Sequence, residues 1–451
     1  MLTPKKTQDV FGLSNTILND SYIDRGNLDI EVQRYLGRPT HIALRGESKC
    51  GKSWFRQKNI PNSIVIQCRY GKSIIDIYTD ALAQLGIKLT IEQSKGSNLR
   101  GQIEAQTSFG AGILSKLGLK ASFGSDKSDS IKEKPVGQDI NDLKFIAEII
   151  IFSERRLVIE DFHYLSTEER KKFSYDLKAL WDYGCFVIII GVWSQNNLLT
   201  YLNPDLTGRI VELSIYWSTE DLKAVIVKGS KALNIKFTNK IETNIIDNCF
   251  GNVGILQKLL LLTLDKARVF EGYTECIEIQ DYDFFMSAAS KYADDLNATY
   301  QQFARRVSAG IRKRKDSTGI YAHAMAIIVD AYDEKLINGL DLNEIYQIAH
   351  NREPRIQKNN LRVVLNKLEE LQVDEDGRGL VIAFNDSNDE ITAVDRQLLF
   401  YRRHLSVKWP WEALLSEMDD RLNGDKIFSS KKNPDNKKKN ETEQMNIFDF
   451  I

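Results

Sequence analysis

Gly46-Glu47-Ser48-Lys49-Cys50-Gly51-Lys52-Ser53 follows directly on the apolar run Thr40-His41-Ile42-Ala43-Leu44. The spacing G-x-x-x-x-G-K-S sets two glycines where a backbone must wrap closely around phosphate oxygens with its N–H groups turned inward. Ser53-Trp54-Phe55-Arg56-Gln57-Lys58 then reads as a helix, and a helix N-terminus adds partial positive charge at the same place. In this frame Lys52 reaches the β- and γ-phosphates of a nucleoside triphosphate, and the Ser53 hydroxyl holds Mg2+. Gly46, Glu47, Ser48, Lys49, Cys50, Gly51 and Trp54 complete the phosphate loop. The expected cofactors are ATP and Mg2+.

The whole chain sets wider bounds. Its 451 residues exceed what one hydrophobic core organises, so several domains are expected. Apolar residues make up 42% and charged residues 27%, with a formal net charge of -1, so any nucleic-acid surface must be a local patch rather than a global field. Cys50, Cys68, Cys185, Cys249 and Cys276 are scattered without C-x-x-C spacing, which fits a reducing cytoplasm and argues against a disulfide framework or a structural zinc site. The N-terminus lacks a signal-peptide apolar region, and the apolar runs are too short to span a bilayer. A cytoplasmic protein without a membrane partner is expected.

The pattern from Thr40 to about Ile215 alternates strand and helix. Ser63–Cys68, Leu157–Ile159 and Phe186–Ile190 are continuous apolar runs of the kind that parallel strands covered on both faces require, with Ser73–Leu85 as a helix and Ile210–Leu213 as a fifth strand. The fold class read from this is α/β: a doubly wound parallel sheet with its ligand at the carboxyl ends of the strands. The stretch 96–138 shifts to Gly, Ser and Lys and reads as an insertion carrying a hairpin at Gly110–Phe123. Ser218–Leu296 reads as a small helical lid, and Ala298–Lys315 as a helix that turns basic. Helices Ile320–Leu336, Leu342–His350 and Ile356–Leu371, followed by strands Gly379–Phe384 and Ile391–Val394, outline a winged helix. The resulting divisions are an N-terminal segment 1–35, the core 36–216 with its insertion at about 90–140, the lid 217–296, the winged-helix region 297–420 and a disordered lysine-rich tail 421–451.

A phosphate loop needs a carboxylate at the end of a neighbouring strand to anchor Mg2+ and orient the attacking water. Leu157-Val158-Ile159-Glu160-Asp161 supplies two. Glu160 is assigned to the metal and Asp161 to the water, with the roles interchangeable, so the metal set is Ser53, Glu160 and Asp161. Past the strand Phe186–Ile190, Ser194, Gln195 and Asn196 are candidates for sensing the γ-phosphate. Arg209 is read either as a finger reaching a neighbouring subunit's phosphate or as a local salt bridge. His163 reads as structural, because no nucleophile lies near it in sequence.

These features together resemble the AAA+/STAND class of P-loop ATPases: the phosphate loop, Val158-Ile159-Glu160-Asp161-Phe162-His163-Tyr164-Leu165, the strand end Gly191-Val192, and Leu206 to Arg209. The nearest branch is the initiator-like or archaeal-ATPase-like one that carries a C-terminal winged helix. The resemblance spans about residues 10–400. It implies that Tyr22, within Ser21-Tyr22-Ile23-Asp24-Arg25, packs beside the adenine. One departure stands out: the lid turn Gly251-Asn252-Val253-Gly254 has no arginine where such lids carry a sensor arginine, which points to a slow switch. Gln444-Met445-Asn446-Ile447-Phe448 resembles a bacterial sliding-clamp-binding peptide.

The expectation is a nucleotide-controlled ATPase switch in a DNA-related or defence process, working as an oligomer or with a partner effector. Arg352, Arg355, Lys358, Asn359, Asn360, Arg362 and Lys367 are the residues that would meet double-stranded DNA. The alternatives are an ATP-regulated DNA-binding initiator and an adaptor whose winged helix contacts protein.

Overall fold

The computed structural model describes residues 4–93, 99–117, 140–193, 196–309, 318–372 and 379–417. The first strands are β1 (His41–Gly46) and β2 (Ser63–Gln67), followed by a separate antiparallel pair, β3 (Ile87–Gln93) and β4 (Leu99–Ala105). Next come β5 (Arg156–Glu160), β6 (Val187–Gly191) and β7 (Ile210–Ile215). Five of these form one parallel sheet in the order β2-β5-β6-β1-β7. The α/β class and the doubly wound parallel sheet read from the sequence are therefore what the chain forms.

Residue alternation explains why the strands are apolar throughout. Ala43, Ile64, Ile66, Leu157, Ile159, Val187 and Ile189 face helices Ile74–Gln84, Leu143–Phe152 and Thr167–Asp182. Ile42, Leu44, Val158, Ile188 and Ile190 face the other way, onto Leu28, Val32 and Phe55 of helices Leu28–Leu36 and Lys52–Asn59. Both faces are buried, so both residue parities must be apolar.

β1 opens on a polar residue, His41, that is fully buried. The Val187 amide donates to its Nδ1 at 2.9 Å, and Nε2 lies 2.8 Å from the Leu177 carbonyl. That pairing fixes one neutral tautomer, with Nε2–H donating.

Beyond the sheet, β8 (Ile235–Phe237) pairs in parallel with β9 (Ile277–Ile279) among helices Thr219–Leu233, Asn239–Cys249 and Val253–Lys266. A 28-residue helix, Tyr282–Ala309, runs on from there and crosses the boundary placed at 296. It packs against both Val253–Lys266 and the C-terminal helices Ile320–Asp330 and Gln397–His404, so lid and C-terminal region share one apolar core. The C-terminal strands β10 (Leu340–Asp341), β11 (Ile382–Asn385) and β12 (Glu390–Ala393) form an antiparallel sheet in the order β10-β12-β11.

Three local readings are corrected. The hairpin of the insertion is β3–β4 rather than Gly110–Phe123, because Thr107 caps a helix over Ser108–Lys116 by accepting from the Gly110 amide. Period-two alternation from Ile87 was the signal for it. The helix expected over Ile320–Leu336 breaks at Ala331 and Tyr332, which are extended, and Asp333 opens a second helix while paired to Arg402 and Arg403. The helix expected over Ile356–Leu371 begins at Lys358 and is interrupted at Lys367. Gln195, Arg312–Lys315 and the tail lie outside the described residues. Among the described residues, no helix is long and apolar enough to cross a membrane.

Burial lowers the His41 pKa to about 4, with nearby Arg156 adding to the effect. The unfolded chain therefore takes up a proton near pH 6.5 that the native chain refuses, so this stability contribution is complete above 6.5 and falls as pH drops toward 4. The loss amounts to about 3 kcal/mol at its full extent. The expected result is a denaturation midpoint that declines below pH 6.5 and a His41 ring NMR signal that does not move between pH 8 and 5. A His41 titration midpoint near 6.5 would refute the neutral assignment.

Candidate nucleotide site

The loop 46–51 leaves the carboxyl end of β1 beside β6 and β7, and β6 separates it from β5. Phosphate loop and acidic strand end thus open into one crevice, where α/β sheets bind ligands. Gly46 is required by contact: a Cβ there would stand 2.6 Å from Cys50 Sγ and 3.1 Å from the Ile215 carbonyl. Gly51 has φ +91 and starts the helix Lys52–Asn59, a conformation that a side chain would strain. Lys52 folds back so that Nζ donates to the carbonyls of Gly46 at 3.0 Å and Glu47 at 2.5 Å. Ser53, one residue on, is exposed.

The rest of the chain grips this loop. Asn252 caps the helix Val253–Lys266 through Oδ1, and its Nδ2 donates to the Ser48 carbonyl at 2.8 Å. Gly254 lets that helix approach, since a Cβ there would lie 2.7 Å from Lys49. Trp217 Nε1 donates to the Cys50 carbonyl at 2.9 Å, and the Ser48 amide donates to the Val394 carbonyl at 3.1 Å. Glu47 pairs with Arg396, and Lys49 donates to Gln397. Trp54 Nε1 reaches the Ser14 carbonyl, tying in the N-terminal segment.

Arg25 closes the stretch Ser21-Tyr22-Ile23-Asp24-Arg25. It is 4% exposed and lies 4.6 Å from the Trp217 ring centroid and 5.5 Å from that of Phe55. Its Nη2 stands 3.9 Å from where a Gly51 Cβ would be, and neither Nε nor Nη2 has a hydrogen-bond partner among the described residues. A buried guanidinium with unmatched N–H groups beside a phosphate loop fits an anionic ligand. Tyr22 bonds instead to the Asp29 carboxylate at 2.8 and 3.0 Å, and burial followed by that carboxylate raises its pKa.

The two acids have different surroundings. Glu160 is buried and pairs with Arg56 Nε at 3.0 Å. Asp161 is partly exposed, has φ +56, and accepts from Gln67 Nε2 at 3.1 Å. A left-handed non-glycine residue is uncommon and costs roughly 1 kcal/mol or more. Among the described residues no group of three or more His, Cys, Asp or Glu could hold a metal. Ser53 and Asp161 could hold Mg2+ together with phosphate oxygens, and Glu160 is the carboxylate already paired with Arg56. His163 accepts from the Val192 amide at Nδ1, 3.3 Å away, and its pKa falls to about 3 through burial, with Lys52 and Arg170 adding to the effect. It stays neutral with Nε2–H as its donor.

Arg209 lies at the opposite end of the sheet. Its carbonyl accepts from the His41 amide at the start of β1, a strand length or roughly 17 Å from the loop. Its guanidinium covers Trp181 at 5.0 Å and donates to the Asp205 carbonyl. Within this chain it does not reach the phosphate loop. Asn196 is described, whereas Ser194 and Gln195 are not.

Of the C-terminal cations, Arg355 is held by Glu353, and Arg362 is held by Asp386 and Asp389 of the β11–β12 turn.

No family model and no curated protein matches the sequence. Solved structures that are distantly similar include the following three. The Orc1 protein of Aeropyrum pernix in complex with DNA is 10% identical, with a TM-score of 0.36 over 86% of this chain and 92% of that one. The RuvB Holliday junction branch migration motor of Thermotoga maritima is 12% identical, with a TM-score of 0.33 over 72% and 84%. A signal transduction ATPase with numerous domains (STAND) from Pyrococcus horikoshii, with a tetratricopeptide repeat sensor, is 12% identical, with a TM-score of 0.34 over 89% of this chain and 44% of that one.

Removing one partner of a buried ion pair leaves an uncompensated charge. Glu160→Ala is therefore expected to lower stability in urea denaturation by about 3 kcal/mol. Asp161→Asn keeps a residue that tolerates the left-handed backbone and is expected to cost under about 1 kcal/mol. Equal losses in the two variants would contradict the distinct roles of the two acids.

Proposed function

We propose that the chain is an ATP-binding, Mg2+-dependent switch of the AAA+/STAND type that turns over slowly. The observation that carries this reading is the loop itself: Lys52 is folded into a glycine-flanked turn at a helix N-terminus, with buried Arg25 unmatched beside Gly51. Bound Mg2+ would neutralise phosphate charge and polarise the transferred group. The protein's own residues would position the triphosphate through the loop amides, Lys52 and Arg25, and orient water through Asp161. Two features favour slow turnover. The lid presents the Asn252 amide to the loop rather than a cation, and Glu160 is occupied by Arg56. Five free cysteines, four of them buried, support a reducing, cytoplasmic setting.

The test is equilibrium binding and turnover with labelled ATP. Lys52→Ala is expected to abolish binding, while Asp161→Asn retains binding and turnover falls by at least about 100-fold. Normal ATP binding by Lys52→Ala would sink the assignment.

A second reading, in which the C-terminal region engages a protein partner, gains support over duplex recognition from the ion pairs of Arg355 and Arg362. Guanidiniums already committed to carboxylates must break those contacts before meeting phosphates. Under this reading, electrophoretic mobility of duplex DNA changes little at about 100 mM salt with either nucleotide. Tight, salt-dependent binding would instead restore the DNA-binding initiator. The Gln444–Phe448 peptide remains proposed as a sliding-clamp ligand, and deletion of 444–451 should abolish clamp binding.

A further inference from the structure

Strand parity decides which acid at the end of β5 meets the helix that follows the phosphate loop. Val158 packs in one cluster with Phe55 of the helix Lys52–Asn59, and Glu160, two residues on, takes the same side of the sheet. On that helix Ser53 and Arg56 are three residues apart and share a face. Arg56 crosses from there to the strand end, where its Nε donates to Glu160 Oε1 at 3.0 Å. The two side chains are 16% and 12% exposed. Asp161 departs from this parity: its backbone turns left-handed where the strand ends, and its carboxylate accepts from Gln67.

The ion pair therefore occupies the carboxylate that its place in the sequence assigned to the metal. Mg2+ sheds its own water reluctantly and demands near-octahedral geometry. To ligate it, Glu160 would have to leave Arg56 as a buried guanidinium without a counter-ion, because no other carboxylate pairs with Arg56 among the described residues. Arg56 is also tethered to the loop's own helix, so it meets Glu160 without the translational entropy that a free cation loses on binding. Asp161 is then the one carboxylate of this strand end left for a metal, beside the Ser53 hydroxyl. The loop amides, Lys52 and Arg25 are placed to hold phosphates from the protein side and need no metal to do so.

We propose that Arg56 is a built-in substitute for the divalent cation at Glu160, so that the chain holds its nucleotide with or without Mg2+ and binds the metal weakly. Metal is then required for turnover and not for retention, and nucleotide stays bound where Mg2+ is scarce. This inference rests on the nucleotide reading above and specifies how the metal enters it.

Two titrations of the full chain test it: a fluorescent ADP analogue in Mg2+ and in EDTA, and Mn2+ added to the chain–ADP complex and followed by electron paramagnetic resonance. The wild-type affinities for the analogue should agree within about threefold between the two buffers. Arg56→Gln should tighten Mn2+ by about tenfold, because it frees Glu160 and removes a positive neighbour. Glu160→Gln should leave Mn2+ affinity within about twofold of wild type, and the double variant should keep little of the gain seen in Arg56→Gln. Arg56→Lys retains a cation at Glu160 and should stay near wild type. If Arg56 serves stability alone, Arg56→Gln leaves Mn2+ binding unchanged or weaker, and the inference is overturned. Glu160→Gln that weakens Mn2+ by about tenfold would make Glu160 a metal ligand and overturn it as well, as would loss of the analogue in EDTA. Should Arg56→Gln not fold, these last two measurements still decide. Binding in Mg2+ but not in EDTA overturns this inference alone, whereas no binding in either buffer overturns the nucleotide reading and this inference with it.

Discussion

Ser48 is held from two directions: its carbonyl takes the Asn252 side chain and its amide gives to Val394. The rest of the arrangement depends on this constraint. A phosphate loop has few side chains to pack and many backbone groups to satisfy, so whatever satisfies them fixes its shape. Here the partners come from a helix cap after the sheet and from the last C-terminal strand. Trp217 adds a third grip at the Cys50 carbonyl. A loop that is local in sequence is thereby the meeting point of elements some 200 and 350 residues distant.

Electrostatics follow from the same geometry. Buried cations converge on the loop from the N-terminal segment and from the C-terminal region, while Glu47 is the carboxylate the loop itself provides. Arg25 is sandwiched by aromatic faces, which soften the cost of burying its charge without matching its N–H groups. At the acidic strand end the balance reverses. Arg56 neutralises Glu160, so Asp161 is the acid whose position and partial exposure suit work on a ligand.

Much of the fold was legible because burial on both sheet faces imposes a simple demand on residue type. Leu157-Val158-Ile159 and the run ending at Ile190 could hardly be anything but covered parallel strands. The phosphate loop was legible for a comparable reason, since glycine at 46 and 51 and lysine at 52 are local requirements. Elements with weaker demands were misplaced. The Gly-, Ser- and Lys-rich composition suggested a hairpin at Gly110–Phe123, whereas the Thr107 cap makes Gly110 and Gly112 part of a helix. The apolar run from Ile320 to Leu336 masked a break that Arg402 and Arg403 hold by pairing with Asp333, some 70 residues away.

The sequence alone determined the α/β sheet, the order of its strands along the chain and the loop at the end of β1, because these rest on periodicity and on backbone sterics within a few residues. Tertiary structure decided what each polar group does. Glu160 meets Arg56, Arg362 meets the β11–β12 turn, Arg209 sits at the far end of the sheet, and Arg25 and Arg396 arrive at the loop from opposite ends of the chain. A charge is defined by its neighbours in space, and periodicity within a segment carries no information about which distant side chain will share its burial.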